Sequence, residues 1–168
     1  MNLPQFIFRP LEEKDLSFLN EIRNLYAPEF LHDSRIFTLE QTKTWFQKSN
    51  PEFYIIEHSN EKIGYFRISN YSSENKNLYI GADIHPSFAN KGLGYKAYKE
   101  FIPFIFKKYN LHKISLEVLE NNYKAFNLYK KIGFNPEGTK REEVFKNGEY
   151  INSIIMSLLK KEFNNGIF

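Results

Sequence analysis

The sequence predicts an α/β fold, in the α+β sense: one mixed, mostly antiparallel sheet of seven strands, flanked by about four helices. Three observations carry this. Apolar residues recur with period two in some stretches and at helical spacing in others, and the two kinds of stretch interleave. A long amphipathic segment up to Tyr109 separates strand-like runs at 77–84 and 113–118. Two strands joined by a crossing helix lie parallel, so this pair forms the parallel centre of the sheet. Elsewhere short polar turns join the runs, among them Asn147-Gly148, a type I′ hairpin signal, and these neighbours are antiparallel.

Residues 6–10 read as the first strand, ended by Pro10. Phe18, Leu19, Ile22, Leu25 and Tyr26 then fall on one face of a helix, with Glu12, Glu13 and Asp15 near its positive end and Pro28 as its stop. Residues 29–37 read as an irregular loop. Thr38 and Gln41 have capping-box spacing, which starts a second helix at Leu39 running to about Lys48 and burying Trp45 or Phe46. Strands follow at 53–57 and 62–68, joined by Ser59-Asn60-Glu61, then a polar turn at 71–76 and the fourth strand at 77–84. The next helix buries Tyr98, Phe101, Ile102, Ile105 and Phe106; Pro103 predicts a kink in it and Asn110 its end. Ile114, Leu116 and Val118 alternate in the fifth strand. Asn121 or Asn122 caps a helix whose buried side is Ala125, Leu128, Tyr129 and Ile132, closed by Gly133. Strands around 138–146 and 149–159 complete the order β-α-α-β-β-β-α-β-α-β-β.

With 168 residues, one domain spanning 1–168 is expected. The absence of cysteine excludes disulfides, thiolate catalysis and zinc-thiolate sites. A net charge of +3 with dispersed lysines argues against a nucleic-acid partner. Pro4 and the early polar residues do not read as a signal peptide, and no apolar run reaches the ~20 residues a bilayer demands. The expectation is a cytoplasmic enzyme with no membrane partner, a monomer or a homodimer, and with no metal.

The chain is organised around the stretch Ile84 to Tyr109, which opens Ile84-His85-Pro86-Ser87-Phe88-Ala89-Asn90-Lys91-Gly92-Leu93-Gly94-Tyr95 and runs on into a long amphipathic segment. A strand ends, a loop with two close glycines follows, and a helix begins. Glycine admits close backbone approach, and the unpaired amides of a helix start favour phosphate. A Walker loop would close with Lys and then Ser or Thr, which this loop lacks. Gly92-x-Gly94-x-x-Ala97, with Glu117 further on, matches a dinucleotide fingerprint, but residues 85–91 intervene between the strand and the first glycine.

The loop also resembles that of the GNAT acetyltransferases, Arg/Gln-x-x-Gly-x-Gly/Ala, with Ala89 departing from the usual first residue. Asn122-Tyr123-Lys124-Ala125-Phe126-Asn127-Leu128-Tyr129-Lys130-Lys131-Ile132-Gly133-Phe134 is similar to a second, more specific segment of that family. Glu137-Gly138, Asn147-Gly148 and Met156 continue the likeness, which is strongest over about 79–159 and extends to polyamine, amino-sugar and ribosomal-protein acetyltransferases.

The resemblance implies acetyl-CoA as co-substrate, lying where the fourth and fifth strands splay apart, and a primary amine as acceptor. Backbone amides around Ala89, Asn90, Lys91, Gly92, Leu93, Gly94 and Tyr95 would hold the pyrophosphate, and an N–H near Ile84 the thioester carbonyl oxygen. Asn122 would bind the pantetheine arm or cap its helix. Tyr129 would protonate the leaving thiolate. Candidates for the general base are Asp83, His85, Glu117 and Glu57, or water. Arg23, His32, Asp33 and Arg35 would border the acceptor. A silent acyl-CoA-binding module and a dinucleotide-binding oxidoreductase are the alternatives at this stage.

Overall fold

The computed structural model describes residues 5–165, so Pro4 lies outside the described residues. The chain runs β1 (Ile7–Pro10), α1 (Leu16–Tyr26), α2 (Leu39–Ser49), β2 (Glu52–His58), β3 (Glu61–Ser72), β4 (Asn77–Ile84), α3 (Leu93–Lys108), β5 (Lys113–Leu119), α4 (Tyr123–Ile132), β6 (Asn135–Lys146), β7 (Glu149–Leu159) and α5 (Lys160–Asn165). The strands form one seven-stranded sheet in the order β1-β2-β3-β4-β5-β7-β6.

Its parallel pair is β4 with β5. They pair at Asn77 with Lys113, Leu78 with Ile114 and Tyr79 with Ser115, and there the pairing stops. β4 nevertheless stays paired with β3 as far as Ile84, and β5 with β7 as far as Leu119. Each strand follows its antiparallel neighbour, and a wedge-shaped gap opens between them.

Two cores clamp the sheet. On one face α3 and α4 cover Phe66, Ile80, Ile114, Leu116 and Met156; Phe66 stacks on Phe101 of α3 at 3.9 Å. Burying each such large side chain is worth about 1.5–3 kcal/mol. On the other face Leu16, Leu19 and Ile22 of α1 pack on Ile55 and Tyr65, with Trp45 and Phe46 of α2 half-buried beside them. Strand alternation sends Tyr65 and Phe66 to opposite faces, both fully buried.

The local signals in the sequence have visible partners. The Thr38 hydroxyl accepts from the Gln41 amide, and the Gln41 side chain accepts from the Thr38 amide. Gly133 takes φ +116° to end α4, and Asn147 and Gly148 take φ 51° and 85° in the β6–β7 turn. Asp15, buried ahead of α1, accepts from both Arg9 terminal nitrogens at 2.7 and 2.9 Å and from Lys62 at 3.4 Å, which ties β1 and β3 to the start of α1.

The structure departs from the expected α1 stripe at Leu25 and adds a short C-terminal helix. Leu25, on the expected apolar stripe of α1, is 55% exposed, although Ile22 before it and Ala27 after it are buried. α3 continues through Pro103 as one helix, with the proline inside it. The short α5 had no periodic signal; it seats Phe163 against Phe106 of α3, rings 5.6 Å apart.

Candidate active site

A cleft of about 1200 Å³ passes through the gap between β4 and β5, from α1 and residues 30–37 on one face to the N-terminal ends of α3 and α4 on the other.

At the α3 end, a short 3-10 turn (Pro86–Phe88) leads from β4 into the loop, where Asn90 and Gly92 adopt φ 61° and 72°. These left-handed residues turn the chain so that α3 begins facing the cleft. Among the described residues the amides of residues 90–95 have no acceptor; the first to find one is Lys96, which donates to the Gly92 carbonyl. A Cβ on Gly92 would meet nothing within 4 Å, so that position is open space. Gly94 faces inward, its virtual Cβ 3.8 Å from Ile84 Cγ1 and Leu128 Cδ2. Lys124 of α4 contacts the Asn90 side chain, and Lys131 lies over the Tyr95 ring at 4.6 Å. Unpaired amides, a positive helix end and two lysines give this end a chemistry that favours an anion. Leu93, Ala125 and Leu128 give the adjoining wall an apolar surface. The Asn122 side chain accepts from the Ala125 amide at 3.2 Å and so caps α4.

Ile84 occupies the middle. Its neighbour His85 donates its amide to the Ile63 carbonyl, so Ile84 opposite Gly64 is a non-hydrogen-bonded position. In an antiparallel ladder such a residue turns its own N–H and C=O away from the partner strand. Both therefore face the gap. The Tyr26 hydroxyl of α1 takes the carbonyl at 2.6 Å. Tyr129 reaches the gap from α4. Burial pushes its hydroxyl pKa up, and nearby Asp83 adds to this. Among the described residues the buried Tyr98 hydroxyl beside it makes no well-aligned hydrogen bond.

The α1 face carries the charges. Asp83 Oδ2 accepts from the Tyr65 hydroxyl at 2.8 Å and from Arg67 Nη1 at 3.3 Å. Glu117 Oε1 pairs with Lys140 at 2.7 Å; its Oε2 accepts from the Ser153 hydroxyl at 3.3 Å and lies 3.4 Å from His32 Nε2. Burial pushes the His32 pKa down, with Glu117 opposing. Asp33 is gripped by Arg35 through Nε and Nη2, at 2.9 and 2.8 Å, and these bonds hold its pKa at about 2. Trp45, Phe53 and Phe37 supply apolar walls.

Of the residues singled out in the sequence, the cleft gathers Asp83, Ile84, Ala89, Asn90, Gly92, Leu93, Gly94, Tyr95, Glu117, Asn122 and Tyr129, with Arg23, His32, Asp33 and Arg35. Lys91 and His85 are not among its lining residues. Lys91 extends over the Phe88 ring at 5.5 Å. The His85 ring caps the 3-10 turn through Ser87 N and turns to Glu21, 3.3 Å away. Glu57 lies at the β1 end of the sheet, bonded to Arg9 at 2.7 Å. Sequence reasoning missed Arg67, Tyr65 and Tyr26. For Arg67 and Tyr65 the only signal would have been cross-strand register, and for Tyr26 the packing of α1 on β4; no local pattern carries either. Among the described residues no three His, Cys, Asp or Glu side chains gather as metal ligands.

A family model described as an acetyltransferase (GNAT) domain matches residues 5–135. The spermidine N(1)-acetyltransferase of Vibrio cholerae is 30% identical over 96% of this chain and 96% of its own length. That of Escherichia coli K12 is 27% identical, covering 92% of this chain and 86% of that protein. The crystal structure of spermidine N-acetyltransferase from Vibrio cholerae in complex with CoA and spermine superposes with a TM-score of 0.88 at 25% identity, over 96% of this chain and 99% of that one.

Proposed function

The chain belongs to the GNAT acetyltransferase family and is an acetyl-CoA-dependent N-acetyltransferase, and we propose that it acetylates a primary amine by direct attack in a ternary complex, with Tyr129 as general acid. The observation that carries this is the gap between β4 and β5. It joins an anion-binding helix start on one face to a chamber of aromatic and charged side chains on the other, with Ile84 and Tyr129 at the passage.

The fit of coenzyme A rests on the free amides of residues 90–95, the open space at Gly92 and the lysines 124 and 131. These would hold the pyrophosphate, while Leu93, Ala125 and Leu128 would flank the pantetheine arm. Asn122 spends its oxygen on the α4 cap and keeps its side-chain N–H donors for the arm. Acetyl-CoA brings a thioester, so that as the amine forms its C–N bond to the carbonyl carbon the C–S bond breaks and sulfur leaves with the electron pair.

The Ile84 N–H donates to the carbonyl oxygen as negative charge builds there. Tyr129 gives its proton to the departing sulfur and is reprotonated from solvent. Its raised pKa keeps it protonated at neutral pH and so available as a donor. The proton lost by the amine goes to water in the open cleft. Asp83, Glu117 and Asp33 are each already held by a cation, His85 is outside the lining, and Glu57 is at the far end of the sheet.

The names of the relatives make spermidine one acceptor to try, beside amino sugars, amino acids and N-terminal peptides. Fold alone does not choose among them. The test is thiol release from acetyl-CoA across such a panel. Amine-dependent release with acetylated product supports the proposal. Coenzyme A binding with no release for any amine would contradict it and favour a silent binding module.

A further inference from the structure

We propose that the acceptor is a primary amine that also bears an anionic group, an amino-acid carboxylate in the first instance, and that Arg67 binds that group. This rests on the acetyltransferase reading above and narrows its substrate.

A polycationic acceptor needs carboxylates that are free to receive its ammonium groups. The acceptor half of the cleft offers few. Both oxygens of Asp33 are taken by Arg35, with Arg23 Nη2 3.5 Å from one of them. Both oxygens of Glu117 are engaged, one by Lys140 and the other by Ser153 and His32. Asp83 has one oxygen bonded twice, by Tyr65 and Arg67.

The cations are unequally used. Arg23 bonds the Arg35 carbonyl at 2.6 Å and the Asp33 carbonyl at 3.3 Å, which anchors the loop after α1. Arg35 is committed to Asp33. Arg67 makes one long bond, 3.3 Å from Nη1 to Asp83, and among the described residues its Nε and Nη2 donate to nothing. A guanidinium has five donors in a planar fork that matches a carboxylate. This one is aimed along the floor of the cleft. It crosses β4 at Gly81, where a Cβ would stand only 2.4 Å from Nη2. An acceptor with a carboxylate near its amine would fill this fork while the nitrogen approached Ile84. Trp45, Phe53 and Phe37 leave an apolar wall for its side chain. A second ammonium in the same place would meet Arg67 as a like charge.

The test compares matched acceptors on the full chain at saturating acetyl-CoA. The set is α-amino acids with apolar side chains, each beside the amine lacking its carboxylate (phenylalanine with phenethylamine, leucine with isoamylamine), the matching aminophosphonates, and spermidine. We expect kcat/KM to favour the amino acid over its decarboxylated partner by on the order of 10²-fold, less than for a fully desolvated hydrogen-bonding site because Arg67 is partly open. In R67Q that ratio should collapse toward one, chiefly through a higher KM for the amino acid. A preference for the aminophosphonate would identify a phosphate-type anion as the source of the same chemistry. Preferential turnover of spermidine, or of the decarboxylated amines, by the wild-type protein would overturn this inference while leaving the acetyltransferase reading intact. A folded R67Q that keeps the full ratio would overturn it too. If R67Q does not fold, the wild-type ratios still decide the substrate class. If coenzyme A binds but no amine is acetylated, both readings fall.

Discussion

Gly81 stands directly opposite Arg67 in the β3–β4 ladder, and it is the missing side chain of Gly81 that lets the guanidinium lie across β4. Gly81→Ala therefore disturbs the site through its neighbour. The clash falls on the far end of a flexible side chain, so the fold should lose under about 1 kcal/mol. Displacing the guanidinium should raise the acceptor KM by roughly tenfold, the value of one hydrogen bond to a charged group. Coenzyme A affinity should not move. Steady-state kinetics and melting on one preparation check this; an unchanged KM would mean that Arg67 does not touch the acceptor.

The loop glycines should behave differently from one another. Gly92 sits at φ +72° with open space around it. Gly92→Val costs the free protein about 1–2 kcal/mol of backbone strain and fills the space assigned to pyrophosphate. Gly94→Ala adds a methyl at ordinary contact distance and should leave the stability within about 0.5 kcal/mol of the parent. Calorimetry should show at least a tenfold loss of coenzyme A affinity for Gly92→Val in a folded protein. Wild-type affinity in that variant would remove the loop from the site.

These two cases differ in how far the sequence could reveal them. The glycine loop, the Asn122 cap, the Thr38–Gln41 box and the Asn147-Gly148 turn are local: each is defined by residues a few positions apart, and each was legible. The element order was legible for the same reason, because periodicity is read within a window. Arg67 faces Gly81 only because β3 and β4 pair in one register, and Asp83 joins Tyr65 on the same face through that register. His85 read as a candidate base because histidine as a residue type exchanges protons near neutral pH. Which way its ring turns depends on Glu21 and Phe18 of α1, far away in the chain. The α1 side of the cleft is assembled almost wholly from such distant partners, so Arg23, His32, Asp33 and Arg35 were visible while Arg67, Tyr65, Tyr26 and all the pairings were not.

Assigning the amine's proton to water makes a prediction about Glu117. Glu117→Gln removes a carboxylate but keeps the shape of the group that meets Ser153 and Lys140. The kcat/KM should change by less than about tenfold. A loss within the 10²–10⁴ range of an essential general base would identify Glu117 as that base.

Asp15 gives a prediction on stability. Burial alone would raise its pKa, but the bonds from Arg9, the Glu12 amide and Lys62 outweigh it and hold the value at about 2, below the ordinary 3.8. A depressed carboxylate contributes stability that is present above its unfolded value and is lost as pH falls through the folded one. The contribution is thus intact at neutral pH and fades from about pH 4 toward about pH 2. Asp15→Asn should cost about 2–3 kcal/mol at neutral pH, somewhat less than for a wholly buried pair because Arg9 is partly exposed. The variant should also lose less stability than wild type between neutral pH and about pH 3. Denaturant melts at both conditions test the sign; equal acid sensitivity in the two proteins would show that Asp15 is not the titrating group.

Tyr129, at the passage between the two halves of the cleft, is the proposed proton donor to the leaving sulfur. Tyr129→Phe keeps the ring and its contacts with Tyr98 and Phe134. The decisive measurement is the single-turnover rate of acetyl transfer by Tyr129→Phe and wild type, with acetyl-CoA affinity and melting determined on the same samples. The transfer rate should fall roughly 10²-fold, with affinity and fold little changed, because the hydroxyl is needed only as the C–S bond breaks. A folded variant that transfers acetyl at near the wild-type rate would contradict that role.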